Sequence, residues 1–438
     1  NNLGNRRLNY GYIFFKNYCA KNINNIDELK KTYELLKNIS FVEIEENNYS
    51  DAFKLFDVLN NRGVPLSPLD IIKNDLFQKI YKTNNGNSKD KFKELSKSND
   101  IFNEIIENLG DTNIQTRFLR QYYMAFKNDE KINIKEYSKP TMSNLVKIYE
   151  KLGSKDAVFL INDLLEKSQI YKEFIYPEEE IFLKWYEDLG KLCMAPGYTL
   201  LLYLRSKKLI MNNEIYIKIL NTLRNFFIRR NLLDIPPTRE LDIIFSELVA
   251  EISESDISED EILKLIKERL FSRKEMKNDE LIKDKLSEDI YETNSRMARY
   301  LLALIESEFG HKDNNTNLWI KEKNKFVFTI EHILPQKGLG KNNDWLEELG
   351  FNDVDEFDNE RNLYCHKIGN LTLTTSNSNL ADFSFYQKKY RKKGDKEVGY
   401  NNGFFINSFL MSSDKWNIDK IKERNEFLKD KILEIISK

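Results

Sequence analysis

Glycine and proline are scarce, at 16 and 8 among 438 residues, less than half of their usual combined share of about 12 %. That scarcity excludes a loop-rich or all-β chain and predicts long helices. Cysteine is scarcer still. Cys19, Cys193 and Cys365 lie far apart with no CxxC pair, which excludes a disulfide framework and a thiolate zinc site and fits a reducing cytoplasm. No apolar run, the stretch 198–204 included, approaches the about 18 residues of a bilayer span, and the Asn-rich start has no signal-peptide pattern. A soluble, cytoplasmic protein with no membrane partner is expected. An excess of one charge is missing too: 68 basic and 70 acidic side chains leave a formal net charge of -2. A polyanion would have to be held by local basic patches, not by the field of the whole molecule.

What is present is mostly helical pattern, and the length predicts about three domains at roughly 150 residues each. In residues 1–90, two helices and a short strand at Phe41-Val42-Glu43-Ile44 come first. A helix over 52–59 then stops at Asn60-Asn61-Arg62-Gly63. The next begins with Ser67 as N-cap, Pro68 at the first helical position and Asp70 at the third, and buries Leu69, Ile72, Leu76 and Ile80. The polar stretch 82–100 reads as a surface connection, so a boundary is expected near residue 90. Residues 91–290 carry serial amphipathic helices, an all-α domain, with the acidic run 251–261 as a solvated loop and helix start. From 291 to 438 the character changes. A helix through Met297 and Leu304 is followed by alternation over 325–330, a strand signature.

That strand runs into Glu331-His332-Ile333-Leu334-Pro335, where a neighbouring Glu and His can serve as metal ligand and general base. Downstream, His366-Lys367-Ile368-Gly369-Asn370-Leu371-Thr372-Leu373-Thr374 is a second β-favouring stretch able to pair with the first. Ser376-Asn377-Ser378-Asn379 then offers N-caps for a helix over 383–393 with a basic end. This order of strand, loop, strand and helix resembles a His-Me finger (ββα-metal, or HNH) nuclease. More narrowly, Glu331 to Gln336 together with Gly369 to Leu373 resembles the C-terminal nuclease of GmrSD-type modification-dependent restriction enzymes and SspE-type phage-defence nucleases. Asn294 to Glu306, and Trp416, Ile421 and Arg424 near the end, agree with that family. So does the N-terminal side: the stretch from Ala52 to Asn74, with Asn60-Asn61-Arg62-Gly63-Val64-Pro65-Leu66-Ser67-Pro68-Leu69-Asp70 inside it, is similar to the end of the ParB-like nucleotide-binding domain that precedes the nuclease.

The resemblance implies a mainly α chain with multi-helix N-terminal and middle regions and a C-terminal ββα-metal domain. It implies a metal-dependent DNA endonuclease or nickase of an anti-phage, modification-dependent restriction system. His332 would be the general base, Asn370 would brace the loop that carries it, and Glu331 and Asn379 would bind a single Mg²⁺ or Mn²⁺. Asn377 competes with Asn379 for its place. Double-stranded DNA, from phage and carrying modified bases, would be the partner. Lys388, Lys389, Arg391, Lys392 and Lys393, interleaved with Tyr386 and Tyr390, suit phosphate contacts. His366 is either a phosphate contact or second metal ligand, or a surface histidine. Arg117, Arg120, Arg229 and Arg230 either bind DNA or lock helices together.

One departure from the family is plain. Its nucleotide-binding half opens with an Asp-Gly-Gln-Gln-Arg sequence that does not occur here, and the first residue is Asn1, not Met. Two expectations stay open: that the first part of the gene product is missing from this sequence, or that the protein has lost it. An NTP would then be bound only through a segment not present, and nucleotide hydrolysis is assigned to no residue here. Two other functions remain open on these residues: an RNase-type toxin on the same finger, and a catalytically dead DNA-binding regulatory subunit.

Overall fold

The structure, a computed structural model, describes residues 3–23, 25–40, 67–83, 88–311, 316–339, 344–375, 380, 383–394 and 396–437. The chain divides into two compact units, residues 1–66 and 67–438. In the first, α1 (Leu3–Asn22) is followed by α2 (Ile26–Lys37), where the Asn25 side chain caps the Glu28 amide. The strand expected at 41–44, the helix over 52–59 and its stop at 60–63 lie outside the described residues.

The second unit opens on α3 (Pro68–Thr83). Its start is a reciprocal cap: Ser67 Oγ accepts from the Asp70 amide at 3.2 Å, and Asp70 Oδ2 accepts from the Ser67 amide at 3.1 Å. Leu69, Ile72, Leu76 and Ile80 are buried as one stripe. The stretch 82–100 departs from expectation. Most of it is the first half of α4 (Ser88–Leu109), and the charged residues between Leu95, Phe102, Ile105 and Leu109 are the solvated side of a continuing helix. α3 and α4 share one apolar cluster, and the division between compact units falls at Ser67.

The helices α5 (Thr112–Phe126), α6 (Leu145–Ile175), α7 (Glu180–Lys191), α8 (Tyr198–Ser206), α9 (Asn213–Leu233), α10 (Thr238–Ser253), α11 (Glu259–Leu270) and α12 (Asp279–Ser287) follow. Four arginines left open by the sequence lie between these helices. Arg117 donates to Tyr171 at 3.1 Å, Arg120 pairs with Asp242 at 3.3 Å, Arg229 pairs with Asp279 at 2.7 Å, and Arg230 donates to Thr238 at 2.7 Å. They lock helices together. The acidic run spans the end of α10, a loop over 254–258 and the start of α11, where Ser258 and Glu261 form a capping box. No described helix is long and apolar enough to cross a membrane.

After α13 (Ile290–Phe309) the strands appear. The alternation over 325–330 is split between two partners: β2 (Lys325–Phe326) pairs with β1 (Lys321–Glu322), and β3 (Thr329–His332) pairs antiparallel with β4 (Leu371–Thr374). At the break, the buried Arg299 guanidinium of α13 donates to the Phe328 carbonyl. Between β3 and β4 lie α14 (Asp344–Leu349), α15 (Val354–Tyr364) and a 3₁₀ turn over Ile368–Asn370. The basic helix expected over 383–393 is only α16 (Phe385–Lys389). The chain then turns at Gly394, φ +61°, into the hairpin β5 (Lys392–Lys393) and β6 (Lys396–Glu397). The last helices are α17 (Ser408–Met411) and α18 (Ile418–Ile436).

One apolar core runs from Leu69 to Ile436, and a smaller one gathers Ile333, Trp345, Phe357, Phe385 and Trp416 around the β3–β4 end. The terminal helix seats against the 3₁₀ turn because Gly369 has no side chain. A Cβ there would run into the Ile421 carbonyl and lie 2.9 Å from the Asn425 amide nitrogen, both backbone atoms of α18. Gly369→Ala is therefore expected to cost roughly 1–3 kcal/mol by overpacking, read as a lower urea midpoint at unchanged slope. Wild-type stability in that variant would show that the contact is not tight.

Candidate active site

Successive residues of a strand leave opposite faces, and the end of β3 uses both. Glu331 faces α16 and His332 faces the start of α13. Both are buried, at 3 % and 5 % exposure. Beyond His332 the chain leaves the sheet, and Asn370 fixes its path. The Asn370 Oδ1 accepts from the Leu334 amide at 2.8 Å and from the Trp416 indole at 3.1 Å. Its Nδ2 donates to the carbonyls of Leu334 and Cys365, both at 2.9 Å. The carboxamide thus uses its full capacity of two donors and two accepting positions. Arg424, fully buried, donates to the carbonyls of Gly369 and Leu371 at 2.7 and 2.8 Å, and burial lowers its pKa to about 9.

His332 meets three side chains. Its Nδ1 lies 2.9 Å from Gln336 Nε2, the Tyr291 ring stands edge-on with centroids 4.5 Å apart, and His366 stands at 90° with centroids 5.3 Å apart. Its Nε2 is buried and has no hydrogen-bond partner among the described residues. Burial pushes the imidazole down to about 3, with His366 and Lys388 acting in the same direction. The ring is neutral at neutral pH. His366 is not a surface histidine: it stacks on Tyr291 at 5.6 Å, and its Nε2 is 3.7 Å from the Glu292 carboxylate.

Lys388 and Lys389 correct the phosphate-contact expectation. The Lys388 ammonium is fully buried and donates to Glu331 Oε1 at 2.7 Å and to the carbonyls of His332 and Ile333 at 2.8 and 3.1 Å. Lys389 is buried on the Ser413 carbonyl at 2.7 Å. Neither ammonium is presented to a polyanion. Their place three and four residues after the buried Phe385 puts them on the inward side of α16, a signal present in the sequence. Tyr386 and Tyr390 point outward, with ring centroids 5.2 Å apart. Arg391 lies over the Phe383 ring at 3.8 Å, Lys392 is exposed, and the Lys393 side chain lies outside the described residues.

Glu331 and Asn379 were expected to hold a divalent metal. Asn379 and its competitor Asn377 lie outside the described residues. Glu331 in this arrangement does not fit a metal: its carboxylate is enclosed, with one oxygen held by Lys388 and the buried Tyr400 hydroxyl beside it. Burial pushes the Glu331 carboxyl up, and Lys388 and Tyr400 oppose that. Among the described residues, no group of three or more His, Cys, Asp or Glu side chains could hold a metal ion.

Comparison with known families decides what this arrangement belongs to. The sequence profile of the C-terminal domain of GmrSD restriction endonucleases matches residues 275–431, and that of the N-terminal domain matches residues 4–77. The chain belongs to the GmrSD restriction endonucleases. Among curated proteins no relative matches. Membership makes DNA the substrate class. The C-terminal GmrSD match takes in the whole β3–β4 site together with α12 to α16, and the N-terminal match crosses the division at Ser67.

Lys388→Met would leave a buried carboxylate without its counter-charge, a loss expected to cost about 3 kcal/mol or more in chemical denaturation. Adding Glu331→Gln should return most of it. A double variant no more stable than Lys388→Met alone would show that the two charges are not coupled.

Proposed function

We propose that this GmrSD protein hydrolyses phosphodiester bonds in DNA with His332 as the general base, on a C-terminal His-Me finger built on β3 and β4. The observation that carries the reading is the buried Nε2 of a neutral imidazole, unclaimed among the described residues, on a ring fixed from three sides. A neutral imidazole with its hydrogen on Nδ1 can take, at Nε2, the proton of the water that attacks phosphorus, and the neighbour at the second ring nitrogen holds the ring in one orientation. Asn370 supports this by holding the turn that follows the histidine. The biological setting is restriction of phage DNA carrying modified bases.

Participation of one Mg²⁺ or Mn²⁺ is a separate proposal. It rests on the family resemblance and on the hard-oxygen character of Asn379, not on Glu331, whose carboxylate Lys388 holds, and no step above runs through the ion. Cleavage of plasmid or phage DNA in Mg²⁺, in Mn²⁺ and in excess EDTA tests it, with loss in EDTA expected.

His332→Ala is expected to lower kcat on DNA by roughly 10²–10⁴, the usual worth of a positioned general base. Equal cleavage by both proteins would remove the assignment. The pH dependence follows from burial. In the free protein the imidazole protonates near 3, and a DNA phosphate brought beside it favours the charged form and raises that value. The acid limb of kcat should therefore lie at higher pH than that of kcat/KM, and coincident limbs would contradict the placement of His332 against the phosphate. The same shift sets stability. The unfolded ring protonates near 6.5, so its contribution is complete above about pH 6.5 and is lost as pH falls toward 3. Denaturant midpoints across that range, wild type against His332→Ala, measure it.

A further inference from the structure

A base at His332 carries a requirement of its own. A neutral imidazole carries a single ring proton, and Nε2 can accept a proton only when that hydrogen sits on Nδ1. Whatever touches Nδ1 must therefore accept a hydrogen bond. Among the described residues the group in hydrogen-bond contact with Nδ1 is the carboxamide of Gln336, four residues on in the loop that Asn370 holds. The other near neighbours meet the ring differently: Tyr291 and His366 stand edge-on to it, and Lys388 binds the His332 carbonyl.

We propose that Gln336 is a positioning residue that sets the tautomer of His332 and thereby decides whether Nε2 acts as a base. This rests on the reading of His332 given above. A carboxamide has a donating and an accepting end, and a half-turn about its last bond exchanges them. With the amide nitrogen toward Nδ1, as the structure has it, the ring hydrogen is placed on Nε2, which then donates and cannot take a proton from water. With the oxygen toward Nδ1, the hydrogen moves to Nδ1 and the Nε2 lone pair is free. Both ring states are neutral, so the exchange needs no change of net charge in the enclosed site. Gln336 is solvent-exposed while the imidazole is buried. The amide can therefore turn without opening the core, and a DNA strand arriving over the loop can reach it.

The test uses the full chain and a readout independent of cleavage. With only three histidines, His311, His332 and His366, the ring nitrogens of ¹⁵N-histidine-labelled protein can be assigned from His311→Gln and His366→Gln. A long-range ¹H–¹⁵N spectrum then shows which nitrogen of His332 carries the hydrogen. In wild type with a DNA duplex bound, the hydrogen is expected on Nδ1. Gln336→Met should give a mixture of tautomers and a kcat 10- to 100-fold lower, with KM within about twofold. Gln336→Glu, which can only accept, should hold the hydrogen on Nδ1 and keep at least wild-type kcat. An unchanged ring spectrum or an unchanged kcat in Gln336→Met overturns the proposal, as does hydrogen on Nε2 in the DNA-bound wild type. If His332→Ala cleaves like wild type, the reading of the base falls instead, and the ring spectrum of Gln336→Met still reports whether the amide sets the tautomer.

Discussion

The geometry of this site depends on one buried carboxamide. Asn370 sits where β4 begins, and through its side chain and backbone it binds the chain that leaves β3: the Ile333 amide to its carbonyl, and the Leu334 amide and carbonyl to its side chain. A loop tied only by contacts between apolar side chains could slide by fractions of an ångström. Directional hydrogen bonds in a low-dielectric interior do not permit that without leaving polar atoms unpaired. The remaining contacts of Asn370 reach the end of α15 at Cys365 and the entry to α18 at Trp416, so three separate parts of the chain meet on one side chain. Gly369 and Arg424 complete the arrangement from the backbone side.

Much of this was legible in the sequence. The Ser67, Pro68 and Asp70 cap, the stripe through Leu76 and the pairing of the Glu331-His332 strand with Leu371 to Thr374 follow from local rules of capping and alternation, and the place of Asn370 at the mouth of that pair is what the family resemblance implies. What was not legible depended on which partner a segment finds. The 325–330 alternation is one pattern, yet its two halves pair with different strands. The charged run before Leu109 has a loop's composition but continues a helical period that becomes visible only with the apolar residues beyond it. Charge misled in α16, where a run of basic residues reads as a phosphate-facing surface unless Phe385 is first recognised as the inward position.

The electrostatics of the site are those of an enclosed pair of opposite faces. On one side of β3, Lys388 brings a positive charge into the interior and spends it on Glu331 and two carbonyls. On the other side, aromatic rings surround an imidazole that burial keeps uncharged. A single strand end thus separates a charged compartment from a neutral one with an unclaimed ring nitrogen. That separation allows adjacent residues to differ in chemical role.

The helix α12 has a consequence for how the catalytic end could be cut from the rest. It lies ahead of α13, yet its terminal Ser287 accepts from Lys367 through the carbonyl and from Lys429 through the hydroxyl, both at about the same distance, 2.8 and 2.7 Å. A fragment beginning at residue 291 would remove the Ser287 acceptors of Lys367 and Lys429 and uncover the apolar faces of α13 and α18 that join the long core. A piece that keeps both Ser287 contacts with their helix must begin upstream of Asp279, and the C-terminal family match begins at residue 275.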